Sequence, residues 1–260
     1  MTPTQDGITI LQVTDTHLSP EAETTLHGVC TFQSLTAVLD QAFSEAVPDA
    51  VVVTGDIANV GSLATYELFR DAVGSRYAGP MLCVPGNHDL SAPFRSVLPT
   101  TGLEFDAWKV IGVDTHVDNC VGGHLEADEC KRLSNALESC SKQVLVVGHH
   151  PPFPIRTPWL DKQCIDNGER LVAMLRGSGK VSGYAYGHVH QEFGTVAGDV
   201  QLLASPSTCY QFEPGSDRFS IDGCKPGYRW IHLNDDRSID SEVRRLDDFE
   251  LTVELTDTKY

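Results

Sequence analysis

The chain has 260 residues, with 19 Lys+Arg against 36 Asp+Glu and a formal net charge of −17. That length buries a sizeable core without disulfide staples, and that acidity disfavours non-specific binding to nucleic acid or an anionic membrane surface. No run of about 18 apolar residues is present, so no membrane-spanning helix is expected. Met1-Thr2-Pro3-Thr4-Gln5-Asp6 has neither the basic nor the apolar stretch of a secretory signal. The eight cysteines (30, 83, 120, 130, 140, 164, 209 and 224) contain no Cys-x-x-Cys pair. The expectation is a cytoplasmic protein with reduced thiols.

Residues 8–14 form a short apolar, β-branched run that reads as a strand ending in Asp15-Thr16-His17. Leu35, Val38, Leu39, Ala42, Phe43 and Ala46 recur at helical spacing, with Thr31 or Ser34 as the expected cap and Pro48 as the stop. Residues 50–54 are a fully apolar strand, as burial on both faces requires, and it runs into Gly55-Asp56. Ser62 caps an expected helix carrying Leu63, Tyr66, Phe69 and Val73. A third strand, 81–84, ends in Pro85-Gly86-Asn87-His88-Asp89, and a fourth spans 108–113. Cys130, Leu133, Leu137 and Cys140 mark the inner stripe of another helix. Strand 144–147 ends in Gly148-His149-His150-Pro151-Pro152. A helix over 168–176 should stop at a left-handed Gly177, and strand 181–186 ends in Gly187-His188-Val189-His190. After about residue 192 the pattern turns β-rich, with short segments at 194–204, 207–212, 228–233 and 239–245. The acidic end (Asp247, Asp248, Glu250, Glu254, Asp257) reads as a solvated edge strand or frayed tail. The whole reads as one α/β domain over 1–260.

Five apolar strands therefore end in blocks rich in Asp, His, Asn and Gly. Open α/β sheets bind ligands beyond the carboxyl ends of their strands, so these blocks should meet at one edge. Asp15 and His17, two apart in an extended segment, should point the same way, as should His188 and His190. Of the adjacent His149 and His150, only one should reach the site. Each block alone is equally a turn; Asp89, beside His88, could orient that imidazole or cap the helix starting near Ser91. Jointly, Asp15, His17, Asp56, Asn87, His149, His188 and His190 offer seven N/O ligands, which divide into two sites of four if Asp56 is shared. No cysteine takes part, so first-row divalent ions such as iron or manganese are favoured over a structural zinc. This is the donor set of a two-metal hydrolytic centre. His27, His116, His124, His150 and His232 fall outside that set.

The blocks D-x-H, G-D, G-N-H-D, G-H-H and G-H-x-H, in this order, resemble the calcineurin-like metallophosphoesterase superfamily. The resemblance implies a four-layer α/β/β/α sandwich with two mixed β-sheets and a dinuclear centre at one edge. It places Asp15, His17, Asp56 and His190 on one metal, and Asp56, Asn87, His149 and His188 on the other. It gives His88 a contact with substrate phosphate or the leaving group. Gly55-Asp56-Ile57-Ala58-Asn59 lacks the Arg that Ser/Thr protein phosphatases of the superfamily carry after Gly-Asp, and those enzymes have Asn-His-Glu where this chain has Asn87-His88-Asp89.

Beyond the metal blocks, the chain is similar to the bacterial class III cyclic nucleotide phosphodiesterases. The likeness lies in Leu11-Gln12-Val13-Thr14-Asp15-Thr16-His17-Leu18, Trp159-Leu160-Asp161 and Ser205-Pro206-Ser207-Thr208-Cys209-Tyr210-Gln211-Phe212. Pro152 and the Phe153-Pro154-Ile155-Arg156 stretch depart from that pattern in the substrate-facing loop. The expected reaction is hydrolysis of 3′,5′-cyclic AMP to 5′-AMP by a hydroxide held between two divalent ions. His88 and Asp89 would assist catalysis, and His17, Asp56, Asn87, His88 and His190 would bind the substrate. The alternatives are a glycerophosphodiesterase, a broad phosphodiesterase, or a non-catalytic scaffold. The expected partner is a small molecule, not nucleic acid or membrane; the oligomeric state is open.

Overall fold

The computed structural model describes residues 7–254. In chain order, β1 (Ile8–Val13), β2 (Thr25–Leu26), β3 (Val29–Cys30), α1 (Thr31–Glu45), β4 (Ala50–Thr54), α2 (Leu63–Gly74), β5 (Met81–Val84) and α3 (Ser91–Val97) come first. Next are β6 (Leu103–Glu104), β7 (Trp108–Gly112), α4 (Ala127–Ser139), β8 (Gln143–Val147), α5 (Gly168–Gly177) and β9 (Val181–Tyr186). The last part is all strand: β10 (Phe193–Ala197), β11 (Val200–Ala204), β12 (Gln211–Phe212), β13 (Ile221–Asp222), β14 (Gly227–Leu233) and β15 (Ile239–Arg245).

Two mixed sheets result, one ordered β15-β14-β1-β4-β5 and the other β10-β11-β9-β8-β7-β6. The parallel strands are β1, β4 and β5 in the first sheet, where β5 forms one edge, and β7, β8, β9 and β11 inside the second. Antiparallel strands complete the edges, with β14 against β1 and β10 against β11. The C-terminal part thus finishes both sheets.

Alternation along the inner strands explains the layering. Ile10, Val52 and Leu82 point from the first sheet towards Val110, Leu145, Val147 and Ala185 of the second, forming the core between the sheets. The neighbouring Leu11, Val13, Val51, Val53 and Cys83 point outward, onto Leu35, Val38 and Leu39 of α1, Tyr66 and Phe69 of α2, and Phe94 of α3. Val144, Val146, Tyr184 and Tyr186 likewise pack under Leu133 and Leu137 of α4 and Leu171 and Leu175 of α5. Every residue of β4 is buried, which is why that strand carries no polar–apolar alternation. Four layers, α/β/β/α, follow directly, and each such buried aliphatic side chain contributes about 1.5–3 kcal/mol.

Several local expectations are corrected. Cys30, not Thr31 or Ser34, precedes α1 and makes no side-chain cap; the Ser34 hydroxyl instead donates to the Thr208 carbonyl across the fold. Ser62 does cap α2, accepting from Thr65 N–H at 3.2 Å. The left-handed residue after α5 is Gly179 rather than Gly177, because the helix runs one residue longer. Segment 194–204 is two strands joined at Gly198, and of 207–212 only β12 is strand. The acidic tail is not an edge strand, since β15 holds that edge. Over 246–254 the chain is irregular, with Phe249 packed on the first-sheet core and Leu251 on the second. Asp257 lies outside the described residues. All eight cysteines are unpaired. Among the described residues, no helix is long and apolar enough to cross a membrane.

Candidate metal centre

The loops that follow β1, β4, β5, β8 and β9 converge at one edge of the sandwich. Asp15 N–H donates to the Gly55 carbonyl at 2.9 Å and His17 N–H to the Asp56 carbonyl at 3.0 Å, so the first two blocks are laced together along their backbones. Asp56 Oδ1 accepts from His88 N–H at 2.8 Å, which ties in the third. The Asp15 carboxylate accepts from His188 N–H at 3.0 Å, which ties in the last.

The expected extended geometry of the paired ligands is wrong. Asp15, His17, Asp56, His188 and His190 all have left-handed backbones, with φ of 53°, 43°, 50°, 67° and 46°. Non-glycine residues rarely occupy this region, and each costs roughly 1–3 kcal/mol that the surrounding structure must offset. Asp15 and His17 nevertheless converge, their ligand atoms lying with that of His190 within 4.8 Å of one another, whereas His188 and His190 part. His190 thereby faces His17, while His188 faces His149 and Asn87.

The resulting cluster is tight and buried. His17 Nε2 lies 3.1 Å from His190 Nε2, and His190 Nε2 is 3.4 Å from Asp15 Oδ1. On the other side, Asn87 Oδ1 is 3.1 Å from His149 Nε2 and 3.0 Å from His188 Nδ1. Asp56 Oδ2 sits between the two groups, 3.8 Å from His17 Nε2 and 3.4 Å from His149 Nε2. Asp15, His17, Asp56, His149, His188 and His190 are each no more than 1% exposed. Only Asn87 and His88 are half-buried, so solvent reaches the cluster over them.

Ring orientation shows what this cluster suits. His149 Nδ1–H donates to the Thr54 carbonyl at 2.7 Å, and His190 Nδ1–H to the Tyr210 carbonyl at 2.8 Å. A carbonyl only accepts, so in the neutral rings both Nε2 atoms present lone pairs to the centre. Those lone pairs converge with oxygens of Asp15, Asp56 and Asn87, and Asp56 Oδ2 has no hydrogen-bond partner although buried. A buried carboxylate oxygen without a donor is costly unless a cation meets it. Burial opposes a charged His149, but the Asp56 and Asp15 carboxylates and the Thr54 carbonyl together outweigh it and hold that ring up at about 9. Burial also favours neutral Asp56, and the surrounding His149, His88 and His17 outweigh it to keep the carboxylate ionised. Burial and then the neighbouring His88 push His17 down, and burial and then His150 push His188 down. The residues present therefore fit divalent ions, which would take the place of the proton that Asp56 draws onto His149.

His150 lies beside the cluster, its ring 4.7 Å from His149 and 4.8 Å from His188, but both its nitrogens are engaged, by Thr115 Oγ1 at 2.7 Å and the Val121 carbonyl at 3.2 Å. His88 Nδ1–H donates to the Asn59 carbonyl at 3.0 Å, and its ring stands edge-on to His17 at 4.8 Å. Asp89 departs from both expectations. Its oxygens accept from the backbone N–H groups of Gly86 (2.9 Å), Ala58 (3.1 Å) and Ile57 (3.3 Å), bracing the β4 and β5 loops. The residue before α3 is Leu90, with no side-chain cap. His116, His124 and His232 pair with Ser91, Asp166 and Thr9 away from the cluster.

Sequence reading placed Trp159, Tyr210 and Phe212 in segments that carry the resemblance but not in the site, where they form an aromatic wall on the His190 side. Phe212 stacks on His190 at 4.2 Å, and Tyr210 lies 5.1 Å from His190 and 6.2 Å from His17. His27 meets Tyr210 edge-on at 5.0 Å. The loop after Pro152 folds back onto this wall through Trp159, 4.9 Å from Phe212 and 5.6 Å from Phe219. The Gly28 beside His27, between two short β-prone runs, was the available signal.

The Calcineurin-like phosphoesterase family profile matches residues 8–192, and the chain belongs to that family. It is 34% identical to the 3′,5′-cyclic adenosine monophosphate phosphodiesterase CpdA of Pseudomonas aeruginosa, over 100% of this chain and 98% of the relative. Among solved structures, it superposes on the purple acid phosphatase PPD1 of yellow lupin with a TM-score of 0.69 at 12% identity, covering 96% of this chain and 53% of that one. It also superposes on GAP50, the anchor in the inner membrane complex of Plasmodium, with a TM-score of 0.63 at 14% identity, covering 94% and 86%. The last two likenesses concern the fold alone.

Proposed function

We propose that this chain is a cytoplasmic phosphodiesterase that takes two divalent metal ions, iron or manganese fitting its N/O donors, and hydrolyses 3′,5′-cyclic AMP to 5′-AMP. The observation that carries the reading is the buried convergence of imidazole nitrogens and carboxylate oxygens around Asp56 Oδ2, which has no hydrogen-bond partner. Full-length similarity to a cyclic AMP phosphodiesterase supports the substrate. Eight unpaired cysteines suit a reducing compartment.

In this reading Asp15, His17, Asp56 and His190 hold one ion, and Asp56, Asn87, His149 and His188 hold the other. When bound, the ions neutralise phosphate charge and lower the pKa of water towards about 7. His149 and His190 are locked in the ligand tautomer by the Thr54 and Tyr210 carbonyls. His17, Asp56, Asn87, His88 and His190 line the place where the phosphodiester seats. With its Nδ1–H given to Asn59, His88 as an imidazolium would give its Nε2 proton to the leaving 3′-oxygen and be left neutral with Nδ1–H still on Asn59; general-acid help of this kind is worth about 10²–10⁴-fold. Asp89 acts at one remove, holding the loops that carry Asp56 and Asn87. The net charge of −17 does not repel the substrate decisively, because distant charges are screened beyond about 8 Å at physiological salt.

The test is to strip the protein with chelator, restore Mn²⁺, and measure 5′-AMP released from 3′,5′-cyclic AMP, with an aryl phosphodiester and a glycerophosphodiester alongside. Metal-dependent cleavage that prefers cyclic AMP is expected. Cleavage of the other diesters alone would discard cyclic AMP and keep the dinuclear centre. No cleavage of any, with two bound ions found by elemental analysis, would favour a binding role.

A further inference from the structure

β2 and β3 pair with Leu26 opposite Val29, so His27 and Gly28 are the whole hairpin loop. Their φ values are +49° and +84°, both positive, as a type I′ turn requires. Asn, Asp and Gly are the residues suited to the first position, because they adopt the left-handed region at little cost. A histidine there carries strain, and strained residues of this kind gather at functional sites. The turn is held from the C-terminal side: Glu254 N–H donates to the His27 carbonyl at 2.9 Å, and the Thr252 carbonyl lies 2.8 Å from where a Cβ on Gly28 would sit.

This clamp sets the His27 ring on the rim of the metal centre. A single ring, Tyr210, separates it from both His17 and His190. Phe219, half-buried, stands 5.4 Å from His27 and completes an apolar shoulder. His27 is itself half-buried. Burial, and then His190, hold its pKa below the ordinary histidine value, so at neutral pH the ring offers one donor and one acceptor. A purine presents the complement: an apolar face and an edge of hydrogen-bonding groups.

We propose that His27 contacts the nucleobase of the substrate, hydrogen-bonding its edge while Phe219 meets its face. The assignment rests on the cyclic nucleotide reading above. It makes His27 a specificity residue outside the metal-binding blocks, supplied by a turn that the C-terminal segment pins in place.

His27→Gly removes the ring while suiting the left-handed backbone, so the melting temperature should stay level or rise. With both metals loaded, KM for cyclic AMP should rise about tenfold, the size of one lost polar contact, with kcat changed less than about threefold. The ratio of kcat/KM for cyclic AMP to that for an aryl phosphodiester, which has no base, should fall by a similar factor. An unchanged ratio overturns the assignment. So does an equal fall on both substrates with reduced metal content, which would make His27 a support of the centre. Wild-type protein that cleaves the aryl diester and leaves cyclic AMP intact overturns the substrate reading itself, and the base contact with it.

Discussion

The two sheets bring unlike chemistry to the seam between them. Loops after β1, β4 and β5 of the first sheet carry Asp15, His17, Asp56 and Asn87: both carboxylates, the amide and one imidazole. Loops after β8 and β9 of the second carry His149, His188 and His190, imidazoles only. The first half concentrates carboxylate oxygens and the second concentrates imidazole nitrogens. Neither half suffices, because Asp56 Oδ2 finds its counterparts on both, His17 at 3.8 Å and His149 at 3.4 Å. A centre split in this way reports on the docking of the sheets as much as on the ligands.

The largest effect is expected where the halves join. Asp56→Ala should lower kcat at least about 10³-fold and empty both positions, read as metal per chain by elemental analysis. Retention of two ions would show that the halves do not depend on Asp56. His88→Ala touches neither set of ligands in the proposed scheme, so both ions should remain while turnover falls about 10²-fold or more. Activity equal to wild type would remove His88 from the reaction.

Smaller effects should follow from the first-sheet loops alone. A Cβ on Gly86 would lie 2.2 Å from Asp56 Oδ1 and 2.4 Å from Asp56 N. Gly86→Ala should therefore displace Asp56 and cost about 10–100-fold, with the ion shared across the seam held less tightly in a chelator titration. Asp89→Asn turns an amide NH₂ towards backbone donors and should cost about 1–3 kcal/mol in a denaturant melt, with about tenfold in activity. Full activity with lowered stability would confine Asp89 to the scaffold.

Much of this was legible in one dimension. The apolar runs at 50–53 and 81–84 lie in β4 and β5, because strands covered on both faces read as near-continuous apolar runs, while β9 keeps one partly exposed polar residue, Ser182. The seven residues singled out do lie together, because strand ends in parallel sheets point the same way and carry their loops to one edge. Side-chain direction was not legible. Period-two reasoning aligned Asp15 with His17 and His188 with His190; the first pair does converge, through left-handed turns rather than extended backbone, and the second pair parts, His190 to His17 and His188 to His149 and Asn87. Asp89, adjacent to His88 in sequence, spends its oxygens on the backbone of two loops.

What the amino-acid sequence determined by itself is the list of chemical groups and the order of strands that delivers them, since both follow from local patterns of polarity. Tertiary structure alone decided which nitrogen of each ring faces inward, and that His27, about 160 residues from His190 in sequence, stands one ring away from it. These are consequences of long-range packing: the Thr54 and Tyr210 carbonyls that fix the tautomers, and the C-terminal segment that pins the His27 turn, act through contacts that no local pattern encodes.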